Sequence, residues 1–253
     1  RAVKWDLGVN FSLNRSKVLV LSEDKDIFGG ELDNTILKDQ LNLMRVGEPM
    51  YVFYGYVEDG YDENGHIVYK NMDDDPAITA ADKTIIGDPN PDFLVNLTTA
   101  VSYKGFTLSA FFQSSIGNDI YSLSMAAQAY DYGYNGNTLR EVYYNHWTPE
   151  NPTAKYPNLD QTSYKMSDRF VYDGSFVRLK NLELAYDVPC ARSKFIKRAR
   201  VYVSAQNLFT ITSYPFWDPD INANGGGSSM IQGVDSYCYP SARTYTIGCR
   251  LTF

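Results

Sequence analysis

ARTYTIGCRLTF, residues 242–253, is the stretch on which the reading of this chain turns. Taken in steps of two, Tyr245, Ile247, Cys249, Leu251 and Phe253 fall on one face, and Thr244, Thr246, Gly248, Arg250 and Thr252 on the other. A period of two is the signature of a strand. Two settings accommodate an apolar strand that ends on an aromatic residue. One is an ordinary sheet strand. The other is the closing strand of a transmembrane β-barrel, whose final aromatic sits in the interfacial girdle. On the barrel reading Tyr245, Ile247, Leu251 and Phe253 are the assembly strand's lipid face, with Ile247 deeper than Leu251.

The same alternation returns several times along the chain. Residues 5–14, WDLGVNFSLN, set Trp5, Leu7, Val9, Phe11 and Leu13 against Asp6, Gly8, Asn10, Ser12 and Asn14. Residues 93–103 and 106–116 alternate on either side of Lys104-Gly105, a two-residue hairpin turn. Residues 175–189 alternate but slip phase near Lys180-Asn181, which predicts a β-bulge. Residues 199–212 follow, with Asn207 on the apolar face and therefore expected near a rim or hydrogen-bonded. About ten residues per strand suits a tilted membrane crossing. The hydrophobic fraction is an ordinary 44%, and the chain contains 21 Tyr. A barrel explains both, because its lipid face is apolar and its lumen polar.

Between the strands lie two long insertions, 15–91 and 117–174. They carry Tyr54, Tyr56, Tyr61, Tyr132, Tyr134 and Trp147, and a third loop after residue 212 adds Tyr214 and Trp217. These rings are candidates for substrate or partner contact; the other reading is that they form the loops' own small core. Residues 138–146 read as a short helix, with Thr138 and Glu141 spaced as a capping box. Residues 71–82, NMDDDPAITAAD, resemble a twelve-residue calcium loop. Asn71, Asp73, Asp75 and Asp82 stand at oxygen-ligand positions, although Pro76 occupies the turn position where such loops want glycine. An acidic, solvated loop is the alternative. His66 and His146 have no nucleophile motif nearby, and no catalytic constellation is visible. Cys190, Cys238 and Cys249 map to different places and are expected to form no disulfide. A net charge of −7 argues against nucleic acid as a partner.

The stretches RFVYDGSFVRLKNLELAYDVP (169–189), ARVYVSAQNLFTITSY (199–214) and YPSARTYTIGCRLTF (239–253) together resemble the closing strands of SusC-like (RagA-type) TonB-dependent outer-membrane transporters. WTPENPTAKYP (147–157) and IGDPNP (86–91) resemble that family's signatures in the preceding loops. The resemblance implies an all-β fold: the C-terminal strands of a large antiparallel barrel of about 22 strands with long extracellular loops. It further implies import of glycan oligosaccharides or peptides, a SusD-like lipoprotein lid, and energy from TonB through an N-terminal plug-bearing part not represented here. Short turns are expected in the periplasm and long loops outside, which puts Phe253 at the periplasmic rim. About six crossing strands are expected, with none between residues 15 and 91. A soluble glycan-binding β-sandwich is the competing fold.

Overall fold

The computed structural model describes residues 2–34, 37–130, 137–190, 195–221 and 230–253. Its frame is a six-stranded sheet. In chain order the strands are β1 (Lys4–Ser12), β2 (Phe93–Tyr103), β3 (Phe106–Ile116), β4 (Phe176–Val188), β5 (Arg198–Thr212) and β6 (Thr244–Thr252). Each pairs antiparallel with the next, so spatial order follows chain order. The β2–β3 turn places Lys104 at φ 49° and Gly105 at φ 88°. Two successive left-handed residues make the hairpin turn whose twist matches the strands it joins.

The registers line the strands up in rows. Trp5, Val101, Leu108, Leu184, Val203 and Ile247 form one continuous apolar row across all six strands. All six are exposed, with Ile247 at 86%. Tyr103, Phe106 and Tyr186 form an aromatic row next to it, toward the short-turn end. At the other end Phe11 and Phe93 meet at 5.8 Å. Tyr103 and Phe93 are ten residues apart, about 34 Å along a strand and about 24 Å along a membrane normal at 45° tilt. That equals the height of an outer-membrane apolar band. The opposite face is polar: Asp6, Ala100, Ser109, Glu183, Ser204 and Thr246 make one row, and Asn10, Asn96, Gln113, Arg178 and Thr210 another. A β-sandwich would bury its apolar face beneath a second sheet. Here that face stays open among the described residues, so the sandwich reading fails.

The bulge falls where the phase slips. Lys180 is extra in β4 relative to β3, and Asn207 with Leu208 together oppose it from β5. Asn207 adopts φ 51° and donates from Nδ2 to the Ala242 carbonyl at 2.9 Å. β6 begins at this level, with Thr244 opposite Gln206. On the polar face Gly248 lies under the Tyr202 ring, where a Cβ would come within 2.4 Å of it.

The three long connections all leave the same end of the sheet and fold on one another. Strands Ile27–Phe28, Asn42–Met44, Val52–Gly55 and Thr84–Gly87 form one small sheet. Strands Asp119–Ser122 and Val171–Asp173 of the second insertion and Val234–Asp235 of the last loop form another, with Tyr121 paired in parallel to Val234. Helices α1 (Leu123–Tyr130) and α2 (Arg140–Tyr144) belong to the second insertion. The chain's hydrophobic core is here and not on the sheet: Leu41, Phe53, Tyr121, Ala126, Val142 and Met166 are all within 2% of full burial. α2 is shorter than the sequence suggests, and its capping box does not form. Leu139 is the N-cap without a side-chain bond. Thr138 instead donates to the Gln128 carbonyl, and Glu141 pairs with Lys155.

Candidate functional site

The loop cluster decides the fate of each candidate aromatic. Tyr56 is buried against Tyr69 at 5.6 Å, with the Lys165 ammonium 4.8 Å above its ring. Tyr54 takes the Arg45 guanidinium at 5.0 Å. Tyr61 lies beneath Arg169 and donates to the Lys155 carbonyl. Arg169 itself holds both Glu58 oxygens through Nε at 2.9 and 2.7 Å. Trp147 lies on Gly65, whose Cβ, were there one, would sit 2.2 Å from the indole. Tyr214 is buried and donates to Asp235 Oδ2 at 2.5 Å, beside Ser122. Burial first, then that hydrogen bond, pushes the Tyr214 phenol well above its ordinary range. Tyr56 and Tyr214 are buried in the cap, whereas Tyr54, Tyr61 and Trp147 are half-buried, each set against one other group of the cap. Tyr132 and Tyr134 lie outside the described residues.

Trp217 is different. It is 58% exposed, and its indole stacks on Phe216 at 4.7 Å with 20° between planes. Phe216 in turn packs against the loop core. A ring so held presents one free face on a rigid backing. Trp217 also lines a cavity of about 490 Å³ with Arg178, Asn207, Thr210, Asp218 and Arg243. That volume is within the usual range for small-molecule sites.

Sequence reading missed the residue that seats this loop. Arg178 is 1% exposed on the polar face of β4. Its Nε donates to Thr210 at 2.9 Å, one terminal nitrogen reaches Ser241 and Asp220 at 3.1 and 3.3 Å, and the other holds Asp218. Its guanidinium also lies 5.2 Å over Phe176. One side chain thus ties the wall to both limbs of the last long loop. Burial raises the Asp218 carboxyl, but the N–H groups of Ser241 and Asp220 and the Arg178 charge outweigh it and leave it below the ordinary range. The available signal was an arginine on the polar face of its strand, with an acidic WDPD run (217–220) in the loop above it.

The 71–82 segment closes on itself. Asn71 accepts from the Asp73 N–H, Asp73 from Asp75, and Asp75 from Ala77. Asp82 is buried and spends its two oxygens on the N–H groups of Met72 and Thr79, each at 2.7 Å. The Met72 bond is the main cause of its lowered pKa. Among the described residues no group of three or more His, Cys, Asp or Glu converges on a metal position. His66 bonds Asp160 at 2.8 Å and His146 the Tyr143 carbonyl at 2.8 Å. No disulfide joins the three cysteines.

No family model matches the chain. TonB-dependent receptor P3 of Formosa agariphila is 32% identical over 270 residues, covering 98% of this chain and 27% of the receptor. TonB-dependent receptor SusC of Bacteroides thetaiotaomicron is 28% identical, covering 98% of this chain and 24% of SusC. Among solved structures, the RagAB peptide importer in its closed-closed state matches with a TM-score of 0.80 at 25% identity, over 99% of this chain and 27% of that one. The open-open state matches at 0.77 and 26% identity. The chain therefore spans about a quarter of the length of the relatives it matches. Its amphipathic wall, folded loop cap and these matches say the same thing: the chain belongs to the SusC-like TonB-dependent receptors of the outer membrane.

Proposed function

We propose that this chain supplies part of the barrel wall and of the outer cap of an importer of oligomeric nutrients, glycan oligosaccharides in the first place. The observation that carries this reading is the pairing of two features. One face of the sheet is apolar over the height of a membrane, and every long connection at one end folds into a single cored body. A wall alone needs far less chain to join its strands. The long-loop end is read as extracellular and the Lys104-Gly105 end as periplasmic, which puts Phe253 at the periplasmic rim. A SusD-like surface lipoprotein closes over the cap, and TonB acts through the plug-bearing part of the receptor, beyond these 253 residues. None of this calls for catalysis.

Peptide import is the second reading, favoured by the similarity to a structure described as a peptide importer. The test is uptake of labelled oligosaccharides and labelled peptides by cells carrying the intact receptor, with and without the lipoprotein. Oligosaccharide uptake that requires the lipoprotein is expected. Peptide uptake alone overturns the glycan reading, and uptake indifferent to the lipoprotein overturns the lid. Point substitutions are the right probes in the cap, because Tyr121, Leu123 and Tyr130 are core residues and deleting them is expected to unfold it.

A further inference from the structure

We infer that a trough along the lipid face of β5 is a site for one anionic glycerophospholipid, with its acyl chain laid on the strand and its phosphate drawn to Lys104 and Lys197. The inference rests on the membrane wall and not on what the receptor imports. The floor of the trough is made of small side chains: Ala199, Val201, Val203 and Ala205 take this face of β5. The walls are taller. Leu184 and Tyr186 stand beside the floor on β4, and Tyr245 and Ile247 on β6. The Phe106 ring of β3 lies on Tyr186 at 4.5 Å and extends that wall. An apolar cavity of about 220 Å³ opens between these walls. Every strand that borders it belongs to this chain. In lipid there is no hydrophobic transfer to gain, so an acyl chain is retained only where the surface is shaped to pack against it.

Depth confines the trough to one leaflet. Val201 shares its row with Phe106 and Tyr186, at the aromatic boundary of the short-turn end. Ala205 shares its row with Thr99, four residues from Tyr103 and about 10 Å below that boundary. Beyond the bulge Phe209 stands in the row of Val9, close to the midplane, and closes the trough. A chain entering from the short-turn end therefore stays within that leaflet. Charge selects the headgroup. The Lys104 ammonium lies 5.0 Å over the Tyr103 ring, at the aromatic boundary. Lys197, the residue before β5, donates its backbone N–H to the Thr252 carbonyl at 2.7 Å, which holds it at the mouth of the trough. Neither lysine makes an ion pair among the described residues, whereas Asp187, at the same end, faces Arg200 at 3.8 Å. A chain of net charge −7 thus keeps two unpaired cations where a lipid phosphate would lie. Each such lysine favours an anionic lipid by about fivefold.

The experiment uses the intact receptor, reconstituted into vesicles of phosphatidylethanolamine with a minor share of phosphatidylglycerol, then washed in detergent. The lipid it retains is identified by native mass spectrometry. The wild type is expected to retain phosphatidylglycerol above its share in the vesicle. Val203→Phe, which fills the floor, is expected to lose the retained lipid, while Val9→Phe, the same change on the lipid face of β1, keeps it. Lys104→Gln and Lys197→Gln should each lower the preference for phosphatidylglycerol about fivefold. Equal retention by Val203→Phe, Val9→Phe and the wild type overturns the trough. A preference unchanged in the double lysine variant overturns the anionic site. Lipopolysaccharide in place of phospholipid on receptor purified from native outer membranes overturns the occupant and the orientation proposed above, and leaves the importer reading standing. Should Val203→Phe not assemble, Val203→Leu takes its place beside the lysine variants, and retention like the wild type by all three overturns the site.

Discussion

The lipid face can be tested by depth. The aromatic rows fix the scale: Tyr103 marks one boundary and Phe93 the other, about 24 Å apart along the normal. Val9 pairs with Leu97, six residues from Tyr103 and four from Phe93, so it lies close to the midplane. Ile247 shares a row with Val101, two residues inside the aromatic boundary, about 5 Å deep at 45° tilt. Leu251 lies beyond that boundary, in the row of Val188 and Ala199. Arginine on the lipid face costs about 2–4 kcal/mol at the midplane and about 0–1 at the interface. Val9→Arg is therefore expected to cost about 3 kcal/mol, roughly a hundredfold in the folding equilibrium. Ile247→Arg should cost about 1–2 kcal/mol, and Leu251→Arg under about 1. Thr246→Arg, beside Ile247 but opposite Ser204 on the polar face, should be tolerated. The assay is urea-induced unfolding of the intact receptor in lipid vesicles, with heat-modifiable mobility as a second readout. Equal losses for Thr246→Arg and Ile247→Arg, or a larger loss for Leu251→Arg than for Val9→Arg, would refute the face and depth assignment.

Three further outcomes follow from the loops. Arg178→Met strands two aspartates, one buried, and is expected to cost about 3–5 kcal/mol in the seating of the last loop; limited proteolysis should find new cuts near residues 213–243, and an unchanged pattern contradicts the anchor. Asp218 has a folded pKa below its unfolded value of about 3.9. Its stabilisation is thus complete above that value and lost as the pH falls through the lower folded pKa, so loop protection should be flat from pH 8 to 5 and fail only below about 4; loss of protection near neutrality would point elsewhere. If residues 71–82 take calcium, Asp82 must exchange its two backbone donors for the ion, and Asp75→Ala should abolish any protection that calcium gives against proteolysis. Identical cleavage with calcium and with chelator assigns the loop to its own turns.

The wall was legible because strand chemistry is local. Alternation in residues 5–14, 93–116 and 199–212 reports directly which face each side chain takes, and the register needs only the tight turn at Lys104-Gly105 to follow. Even the bulge announced itself, since one extra residue must shift every apolar position after it, from Leu179 to Leu182. The failed capping box shows where locality ends. Thr138 and Glu141 have the right spacing, but each has a stronger distant partner, Gln128 for one and Lys155 for the other.

The cap was only half legible, for a reason of chemistry. Tyrosine and tryptophan suit a ligand platform and a small polar core equally well, because both need a flat apolar body with one hydrogen-bonding tip. Tyr56 and Tyr214 resolve to buried residues, and Tyr61 and Trp147 to half-buried cap contacts, only once their neighbours are known, and those neighbours come from other loops: Lys165 for Tyr56, Ser122 for Tyr214, Arg169 for Tyr61 and Gly65 for Trp147. Trp217 resolves the other way by the same test, since among the described residues its ring stacks on the adjacent Phe216 and it stays 58% exposed. What separates a binding ring from a core ring is thus whether a cation, carboxylate or glycine elsewhere in the chain has been set against it. Arg178 extends the argument to charge. On the strand it reads as one more inner-face polar residue, and only the arrival of Asp218 and Ser241 makes it the post to which the loop bearing Trp217 is tied.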